Sequence, residues 1–578
     1  MKQQHMKRAL LAALVSGAFL PFGAQASDAE LLRKLEALTK EVEALKAQVA
    51  AQQKTTQQVA ERVEMTESKS LGNWLTVGGD YQFRVDSLRG ETVTFTDVFK
   101  AFDNAKNDLQ FRAVLNDPAA IASLQNLGMM DMAMRGITTY AQARAFTTTD
   151  PVAANGMSAL FPYLPGASVP AYKPKNDTLY THRFGLDLGA KVAQDVSLTA
   201  RLAMYKTFGD QTLDALSNGS NAPFSADRVG VFDGTLSRLP SDSYLNVDRA
   251  YVSWNNLFDQ DMWFSVGRRP STQGGPSNFK NNTEKPGRGG TPALLVDYAF
   301  DGMTLGYGFD IDGMPGAHAK LCYGRGFESG FRAPSMNSLQ DTDMIGLSFV
   351  PIDTDRMRVW LQWNRGMNIF DAPKMRNTYF GDTAPSINLG DIDWFGAGIM
   401  GTIKNVGSGN LNYFADFGLS RTRPNQNVSA NFGFQGLLTG AFFNPEAPSN
   451  KTGNAILLGL RYDLPSKTKL GFEFNRGSKN WITFAPATAD MWTSKVGTRG
   501  NVYEAYVIQE LDAKPIASAQ AKSFFRLGFQ VYDFKYTGSN NWVGAPVKIS
   551  AINATNNMMT LTPLSKAYDL YGTIEVKF

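Results

Sequence analysis

From residue 71 to its last residue the chain alternates apolar and polar side chains. In "WLTVGGDYQFRVD", Leu75, Val77 and Tyr81 share one face of an extended strand, and Asp80 and Arg84 share the other. About sixteen such segments occur, each near the 9 to 11 residues with which a tilted strand crosses a bilayer. They cover residues 74–86, 178–192, 195–206, 244–255, 261–269, 292–300, 303–312, 341–351, 356–366, 391–404, 410–423, 454–465, 467–478, 501–511, 521–533 and 567–578. Long and short connections alternate between them, which predicts an antiparallel transmembrane β-barrel over residues 71–578.

Turn signals support the strand boundaries. In "YAFDGMTLGYGF" the pair Asp301–Gly302 predicts a two-residue type I′ hairpin between strands 292–300 and 303–312. Residues 193–195, 351–355 and 465–467 predict further short turns.

Charge placement tests the barrel. An arginine facing lipid at mid-bilayer costs roughly 2 to 4 kcal/mol, so arginines are expected on the lumen face. Seven lie opposite the apolar face of their strands: Arg84, Arg183, Arg201, Arg249, Arg358, Arg461 and Arg526. Strands 391–404 and 501–511 are apolar on both faces, and the pattern does not orient them. A secreted β-sandwich or β-helix would alternate too, but the even strand number and Trp254 and Trp263 around a short turn favour the barrel.

The first 26 residues predict a signal peptide. Lys2, Lys7 and Arg8 precede an apolar core at 9–20, and "AQA" at 24–26 is a small-residue cleavage site. The alternative, an N-terminal membrane anchor, needs a longer apolar run. Of 57 basic residues, 54 remain after cleavage against 53 acidic ones, so no basic surface for nucleic acid is predicted.

Residues 27–70 predict a short α-helical coiled coil, because apolar residues recur there with a period near 3.5. The seam consists of Leu31, Leu35, Leu38, Val42, Leu45, Val49, Gln52, Thr56, Val59 and Val63. It predicts a homo-oligomer, a dimer or a trimer, in which Gln52 and Thr56 leave the number of chains open. The alternative is an amphipathic helix lying on another surface.

Two stretches carry a family resemblance. "VDRAYVSWNNLFDQDMWFSVGRRPSTQGGPSNF" and the following "YAFDGMTLGYGF" resemble porins of Gram-negative bacteria built from signal peptide, periplasmic coiled coil and outer-membrane barrel. The resemblance implies an outer-membrane location and no catalytic residues, and no cofactor is expected. The alternation of long and short connections predicts long loops outside and both termini in the periplasm. The last strand resembles the signal read by the barrel-assembly machinery, which implies insertion by it; its residues are Tyr568, Leu570, Ile574, Val576 and Phe578.

The expected lumen of the predicted barrel indicates a function. A sixteen-stranded barrel leaves a water channel unless something fills it, so we expect passive diffusion of small hydrophilic solutes or ions. The predicted pore-lining residues are Arg84, Arg183, Asp187, Arg201, Arg249, Arg358, Arg461, Glu473 and Arg526. Inward charges of both signs give no basis for ion selectivity.

Two long loops bear on the width of the pore. The segment Pro270–Gly290 is either an inward-folded constriction or a flexible surface loop with solvated charges. Its constriction candidates are Arg268, Arg269, Lys280, Lys285 and Arg288. The first extracellular loop, about 87–177, contains two short predicted helices and is a candidate lid or plug.

Other chemistry has weaker support. Aspartate pairs at the outer strand ends predict Ca²⁺ sites bridging lipopolysaccharide or loops, although such pairs are more often turn formers; they are Asp310 with Asp312, Asp341 with Asp343, and Asp391 with Asp393. No Cys-x-x-Cys-His motif occurs, so no haem of its own is expected. Two alternatives to a pore stay open: a sleeve around a partner such as a multihaem cytochrome, and an envelope tether acting through the coiled coil.

Overall fold

The computed structural model describes residues 74–209, 240, 243–271, 274–288, 290–331, 339–372, 376–377, 383–485, 489–512, 521–553 and 558–578, with seven helical positions at 33, 36, 37, 39, 40, 43 and 46. The predicted signal peptide lies outside the described residues. So does the predicted coiled coil, except at those seven positions. The chain divides into two units, Met1–Trp74 and Leu75–Phe578.

Within the described residues, sixteen strands close into one antiparallel barrel, which confirms the predicted fold class. In chain order they are β1 (Leu75–Thr92), β2 (Lys175–Lys191), β3 (Val196–Thr207), β4 (Asn246–Trp254), β5 (Met262–Ser271), β6 (Tyr298–Gly308), β7 (His318–Phe327), β8 (Thr342–Asp353), β9 (Met357–Phe370), β10 (Asn388–Val406), β11 (Gly409–Pro424), β12 (Thr452–Asp463), β13 (Thr468–Gly477), β14 (Gly500–Glu510), β15 (Lys522–Phe534) and β16 (Leu564–Lys577). Each strand pairs with its neighbours in the chain, and β1 pairs with β16, where Tyr81 lies opposite Val576. Closure leaves no unpaired strand edge.

The two ends of the barrel differ. Short connections such as 192–195 and 464–467 lie at one end, the short-turn end, where Lys467 has the positive φ of a tight turn. Long connections lie at the other, the long-loop end. The first of them runs from 93 to 174 and is shorter than the predicted 87–177, because ladder pairing continues to Thr92 and resumes at Lys175.

The predicted hairpin at Asp301–Gly302 is wrong. Strand β6 runs straight through both residues, and the strand that follows it is β7, which the period-two pattern missed. Asp301 lies opposite Arg268 on β5 and Arg325 on β7, and its carboxylate lies 3.5 Å from the Arg268 guanidinium. A Cβ on Gly302 would lie 2.1 Å from the Tyr323 carbonyl oxygen, so this glycine permits close strand approach rather than a turn.

The structure orients the two strands that the pattern left open. On β10, Phe395 and Ile403 are exposed on the outside, whereas Trp394 and Met400 are buried inside. On β14, Tyr503 and Val507 face out, and Glu504 and Ile508 face in. Both inner faces are partly apolar because loops inside the barrel pack against them.

The first long connection is largely helical, and we call residues 93–174 the helical loop. Its helices are α1 (Val98–Val114), α2 (Pro118–Arg135), α3 (Tyr140–Thr149) and α4 (Pro151–Leu160). Asp97 begins α1 by accepting a hydrogen bond from the Phe99 amide at 2.9 Å, and Asp117 does the same for α2. None of the described helices is long and apolar enough to cross a membrane.

The helical loop packs onto the sixth long loop, residues 425–451. The Tyr140 amide donates to the Gln426 carbonyl at 2.8 Å, and Phe146 packs edge to face against Phe434. Since these loops leave the barrel from separate strand pairs, their contact carries the helices across part of the long-loop end.

The long-loop half of the lumen is filled by an apolar core. Three buried tryptophans donate their indole N–H groups to backbone carbonyls: Trp394 to Ile482, Trp481 to Val496 and Trp542 to Phe370, at 2.7 to 2.8 Å. The bonds of Trp394 and Trp542 join loops to the inner wall, and the bond of Trp481 lies within one loop. The interior is therefore far fuller than an open sixteen-stranded barrel would be.

Candidate functional site

The described part of the connection between β5 and β6 descends through the lumen; we call residues 274–288 and 290–297 the inward loop. It begins and ends at the long-loop end, yet the Lys285 ammonium lies 2.7 Å from Asp353, the last residue of β8 at the short-turn end. Arg288 bonds Asp261 at 2.6 Å, beside the short turn that precedes β5. The loop thus spans the length of the barrel interior.

The pair formed by Arg288 and Asp261 anchors the tip of the inward loop. The guanidinium also lies 4.8 Å from the centre of the Trp263 ring. Its hydrogen bond lowers the pKa of the Asp261 carboxyl below the usual range.

Basic side chains of the barrel wall donate hydrogen bonds to backbone carbonyls of the inward loop. Arg461 donates to the Phe279 carbonyl at 2.7 Å, Lys577 to Asn281 at 2.6 Å and Lys320 to Gly290 at 2.9 Å. Arg358 donates to Gly287 at 3.0 Å, and Arg526 donates to Lys280. These donors come from five different strands, so the loop path is fixed from several sides.

A buried charge network links the inward loop to the seventh long loop, of which residues 478–485 and 489–499 are described. Lys280 and Lys495, one from each loop, both lie 2.6 Å from Glu504 on β14. Lys495 also contacts Glu473 on β13, and the Tyr571 hydroxyl donates to Glu504 at 2.7 Å. Both loops are thereby pinned against β13, β14 and β16.

Beside the pinned loops lies a cavity of about 270 Å³, whose wall comes from β1 to β4 and from β12, β13 and β16. Among the described residues, six basic and six acidic side chains line it: Arg183, Arg201, Arg249, Lys280, Lys495 and Lys577, with Asp80, Asp187, Asp297, Glu473, Asp490 and Glu575. A space of this polarity and size holds water.

The wall of the cavity on β1 to β4 carries linked ion pairs. Arg201 lies 2.6 Å from Asp187 and also contacts Asp80, which lies 3.7 Å from Arg183. Asp187 keeps 46% of its side chain exposed, so its carboxylate faces the water of the cavity.

The predicted pore-lining residues divide into two groups. Arg183, Asp187, Arg201, Arg249 and Glu473 line the cavity. Arg84, Arg358, Arg461 and Arg526 point inward too but are covered: Arg84 is fully buried against Asp86 and Asp569, and the other three hold the inward loop. Period-two reasoning assigns a face to a strand residue, but it cannot show what covers that face.

The constriction candidates also separate. Lys280 lines the cavity, whereas Lys285 and Arg288 lie at the tip of the inward loop. Arg268 and Arg269 belong to β5, where Arg268 donates to the Asp248 carbonyl at 3.1 Å. Asp297, Asp490 and Lys495 were missed, because loop residues carry no period that would place them in a lumen.

The calcium candidates do not share one location. Asp310 and Asp312 lie in a connection at the short-turn end, not at an outer strand end as predicted, because the strand break falls after Gly308. Asp343 bonds Arg325 at 2.9 Å, Asp341 lies 3.0 Å from the same arginine, and Asp391 and Asp393 lie at the start of β10. In the part of the chain that the structure describes, no group of three or more His, Cys, Asp or Glu side chains is arranged to hold a metal ion.

The predicted assembly residues lie on the last strand. Leu570, Ile574, Val576 and Phe578 are exposed on the outer surface of the barrel, and Tyr568 shares their face. The Phe578 amide donates to the Gly79 carbonyl at 3.0 Å, so the final residue is part of the ladder that closes the barrel.

A closed sixteen-stranded antiparallel barrel, with an inward loop and a charged aqueous cavity, defines a porin-like barrel protein. Residues 173–578 match the model of the family described as "Protein of unknown function (DUF3373)", and the chain belongs to that family. A comparison with curated proteins gave no significant match.

Solved barrels resemble the chain at low identity. Outer-membrane expressed OmpT of Vibrio cholerae is 11% identical, with a TM-score of 0.36 over 87% of this chain and 98% of its own. An anion-selective porin from Comamonas acidovorans is 10% identical, with a TM-score of 0.36 over 87% and 99%. OprB of Pseudomonas putida is 10% identical, with a TM-score of 0.38 over 89% and 96%. The fold assignment rests on the strand pairing of the chain itself.

Proposed function

We propose that this protein is a narrow channel in the outer membrane of a Gram-negative bacterium, through which small hydrophilic solutes or ions diffuse passively. The observation that carries the proposal is the charged cavity between the inward loop and the wall of β1 to β4. The inward loop then acts as the constriction, with its position fixed by wall cations and by Glu504.

The outer surface supports a membrane location. Leu347, Leu361, Leu458 and Leu527 are exposed on the outside of the barrel, whereas the buried Arg358, Arg461 and Arg526 point inward. An apolar exterior around a closed sheet suits lipid, because every backbone group is already paired. The long loops then lie outside the cell, and the short turns and both chain ends lie in the periplasm.

The balance of charges along the cavity indicates which solutes can pass through the channel. Six cations face six anions along the cavity among the described residues, and many are paired with one another. A ring of one sign would select ions, whereas this balance favours small neutral or zwitterionic solutes and weak ion selectivity.

The filled lumen disfavours the sleeve alternative. A cavity of about 270 Å³ is far smaller than a protein domain. The tether alternative depends on residues 27–70 and is separable, because deleting them would loosen the envelope without changing conductance.

Three partners belong to this proposal: lipopolysaccharide around the barrel, the barrel-assembly machinery acting on the last strand, and further copies of the chain through the coiled coil, as a dimer or a trimer. Steps in threes in single-channel recordings would favour a trimer.

A cysteine test locates the passage. In a Cys322→Ser background, Asp187→Cys places a thiol in the cavity, and Leu198→Cys places one on the exposed outer face. In planar bilayers we expect a charged methanethiosulfonate reagent to reduce the conductance of the Asp187→Cys protein and to leave the Leu198→Cys protein unchanged. Absence of any conductance in the parent protein would overturn the proposed channel. Equal responses of the two cysteine variants to the reagent would overturn the proposed path through the cavity.

A further inference from the structure

An arginine row stands on the outer surface at the long-loop end of β9 to β11. Arg365, Asp393 and Arg421 lie opposite one another in the ladder, and Arg423 follows on β11. These side chains point outward. Two residues closer to the middle of the barrel, the same faces of the strands carry Trp363, Phe395 and Leu419, and Phe395 is well exposed. The arginines therefore lie directly above the apolar band, about 7 Å along the strands at 3.3 Å per residue.

One buried carboxylate organises the row. Asp393 is 1% exposed, and its two oxygens accept from Arg365 at 2.7 and 3.0 Å and from Arg423 at 2.5 Å. The Arg423 side chain is still 50% exposed, so its guanidinium keeps donors available to a ligand. Asp393 thus holds two guanidiniums side by side without covering them.

Among the described residues at this end of β9 to β11, the local charge is positive. Arg365, Arg421 and Arg423 stand against Asp393 and Asp391, and the Asp391 carboxylate accepts from the Asn368 amide at 3.0 Å. On the adjoining strands β7 and β8 the balance is reversed. There Arg325 bonds Asp343 and Glu328 and lies near Asp341.

We propose that Arg365, Arg421 and Arg423 form a binding site for the phosphate group of a lipid headgroup in the outer leaflet. The guanidinium fork matches phosphate oxygens, and it is more weakly hydrated than an ammonium. The apolar row below places acyl chains against Trp363 and Phe395 while the phosphate meets the arginines. This inference rests on the proposed outer-membrane location.

The sequence pattern suggested a different ligand here. Asp391 and Asp393 are a candidate Ca²⁺ pair by spacing, but both oxygens of Asp393 are engaged by arginines. A purely structural ion pair would need one arginine to balance this carboxylate. A phosphate ligand explains why more arginines lie at this lipid boundary than the Asp393 carboxylate requires.

The test measures lipid binding by the purified full chain in detergent, without a conductance readout. Diphosphorylated lipid A, the same lipid after dephosphorylation, and sodium phosphate are titrated while bound lipid is counted by native mass spectrometry. Arg421→Gln/Arg423→Gln keeps the Arg365–Asp393 pair, so the barrel is expected to fold. Arg325→Gln is the matched control at the same rim.

We expect the double variant to bind diphosphorylated lipid A at least tenfold more weakly and Arg325→Gln to bind it like the parent. Dephosphorylated lipid should bind the parent as weakly as diphosphorylated lipid binds the double variant. Equal binding by parent and double variant, or equal binding of both lipids, would overturn the site. Saturation by sodium phosphate with no preference for the lipid would assign a free anion instead. A silent channel with intact lipid binding would refute the pore and leave this site standing.

Discussion

The ammonium of Lys280 in the inward loop lies 2.6 Å from the carboxylate of Glu504 on β14, and both side chains are buried. Lys495 of the seventh long loop reaches the same carboxylate. One acid on the wall therefore holds two loops, and the width of the proposed passage depends on it.

Replacing that acid should loosen both loops. Glu504→Gln removes the charge between two buried ammonium groups, and we expect a loss of roughly 3 kcal/mol in the free energy of unfolding, because uncompensated buried charge is costly. Conductance should rise and become less uniform. Glu328→Gln, which removes an exposed partner of Arg325, should change stability by less than about 1 kcal/mol. Urea unfolding and bilayer recordings provide both measurements, and equal effects of the two changes would contradict the network.

Acid should weaken the anchor between Asp261 and Arg288. The pKa of Asp261 is lowered in the folded chain, so its contribution is present above the unfolded value, about 3.9, and is lost as pH falls through the folded value. We expect current fluctuations to grow below about pH 4, and Asp261→Asn should show them already at neutral pH. Asp259→Asn, in the same turn, should behave as the parent. A parent whose noise does not change with pH would refute this role.

The last residue should control assembly. Phe578 exchanges two backbone hydrogen bonds with Gly79, at 2.9 and 3.0 Å, and its ring approaches the Gly79 backbone. Phe578→Asp, or residues added after it, should lower the amount of folded barrel in the outer-membrane fraction, measured by heat-modifiable gel mobility. Phe578→Tyr keeps the aromatic ring and should assemble normally. Normal insertion of the Asp variant would show that the terminus is not read in this way.

Two glycines of the helical loop should respond in opposite ways to alanine. A Cβ on Gly156 in α4 would lie 2.6 Å from the Met130 Cβ in α2, whereas a Cβ on Gly128 meets no atom within 4 Å. Gly156→Ala should separate the helices and speed proteolysis of the helical loop. Gly128→Ala should slow it, since alanine favours a helix by up to about 1 kcal/mol. The same direction of change in both variants would contradict the packing of α2 against α4.

Strand prediction succeeded and failed for identifiable reasons. Alternation located β1, β11 and β12, because one face of each meets lipid. The strand number was right although one region was misread: residues 292–312 were predicted as two strands, and β7 was missed. The Asp301–Gly302 pair is a strong local turn signal, but pairing with Arg268 and Arg325 overrides it. In β7, Cys322 on the inner face and Arg325 on the outer face interrupt the apolar and polar alternation.

The amino-acid sequence was sufficient for the closed barrel, the inward direction of the seven predicted arginines and the exposed apolar face of the last strand, because each follows from residues two apart on one strand. It was not sufficient for the filled lumen or for the arginine row around Asp393. Those depend on contacts between distant residues, such as Phe279 with Arg461 and Lys280 with Glu504, which form only when sixteen strands have closed. The period of the apolar pattern predicts on which face of a strand a side chain lies. Only the folded structure shows which residues pack against that face.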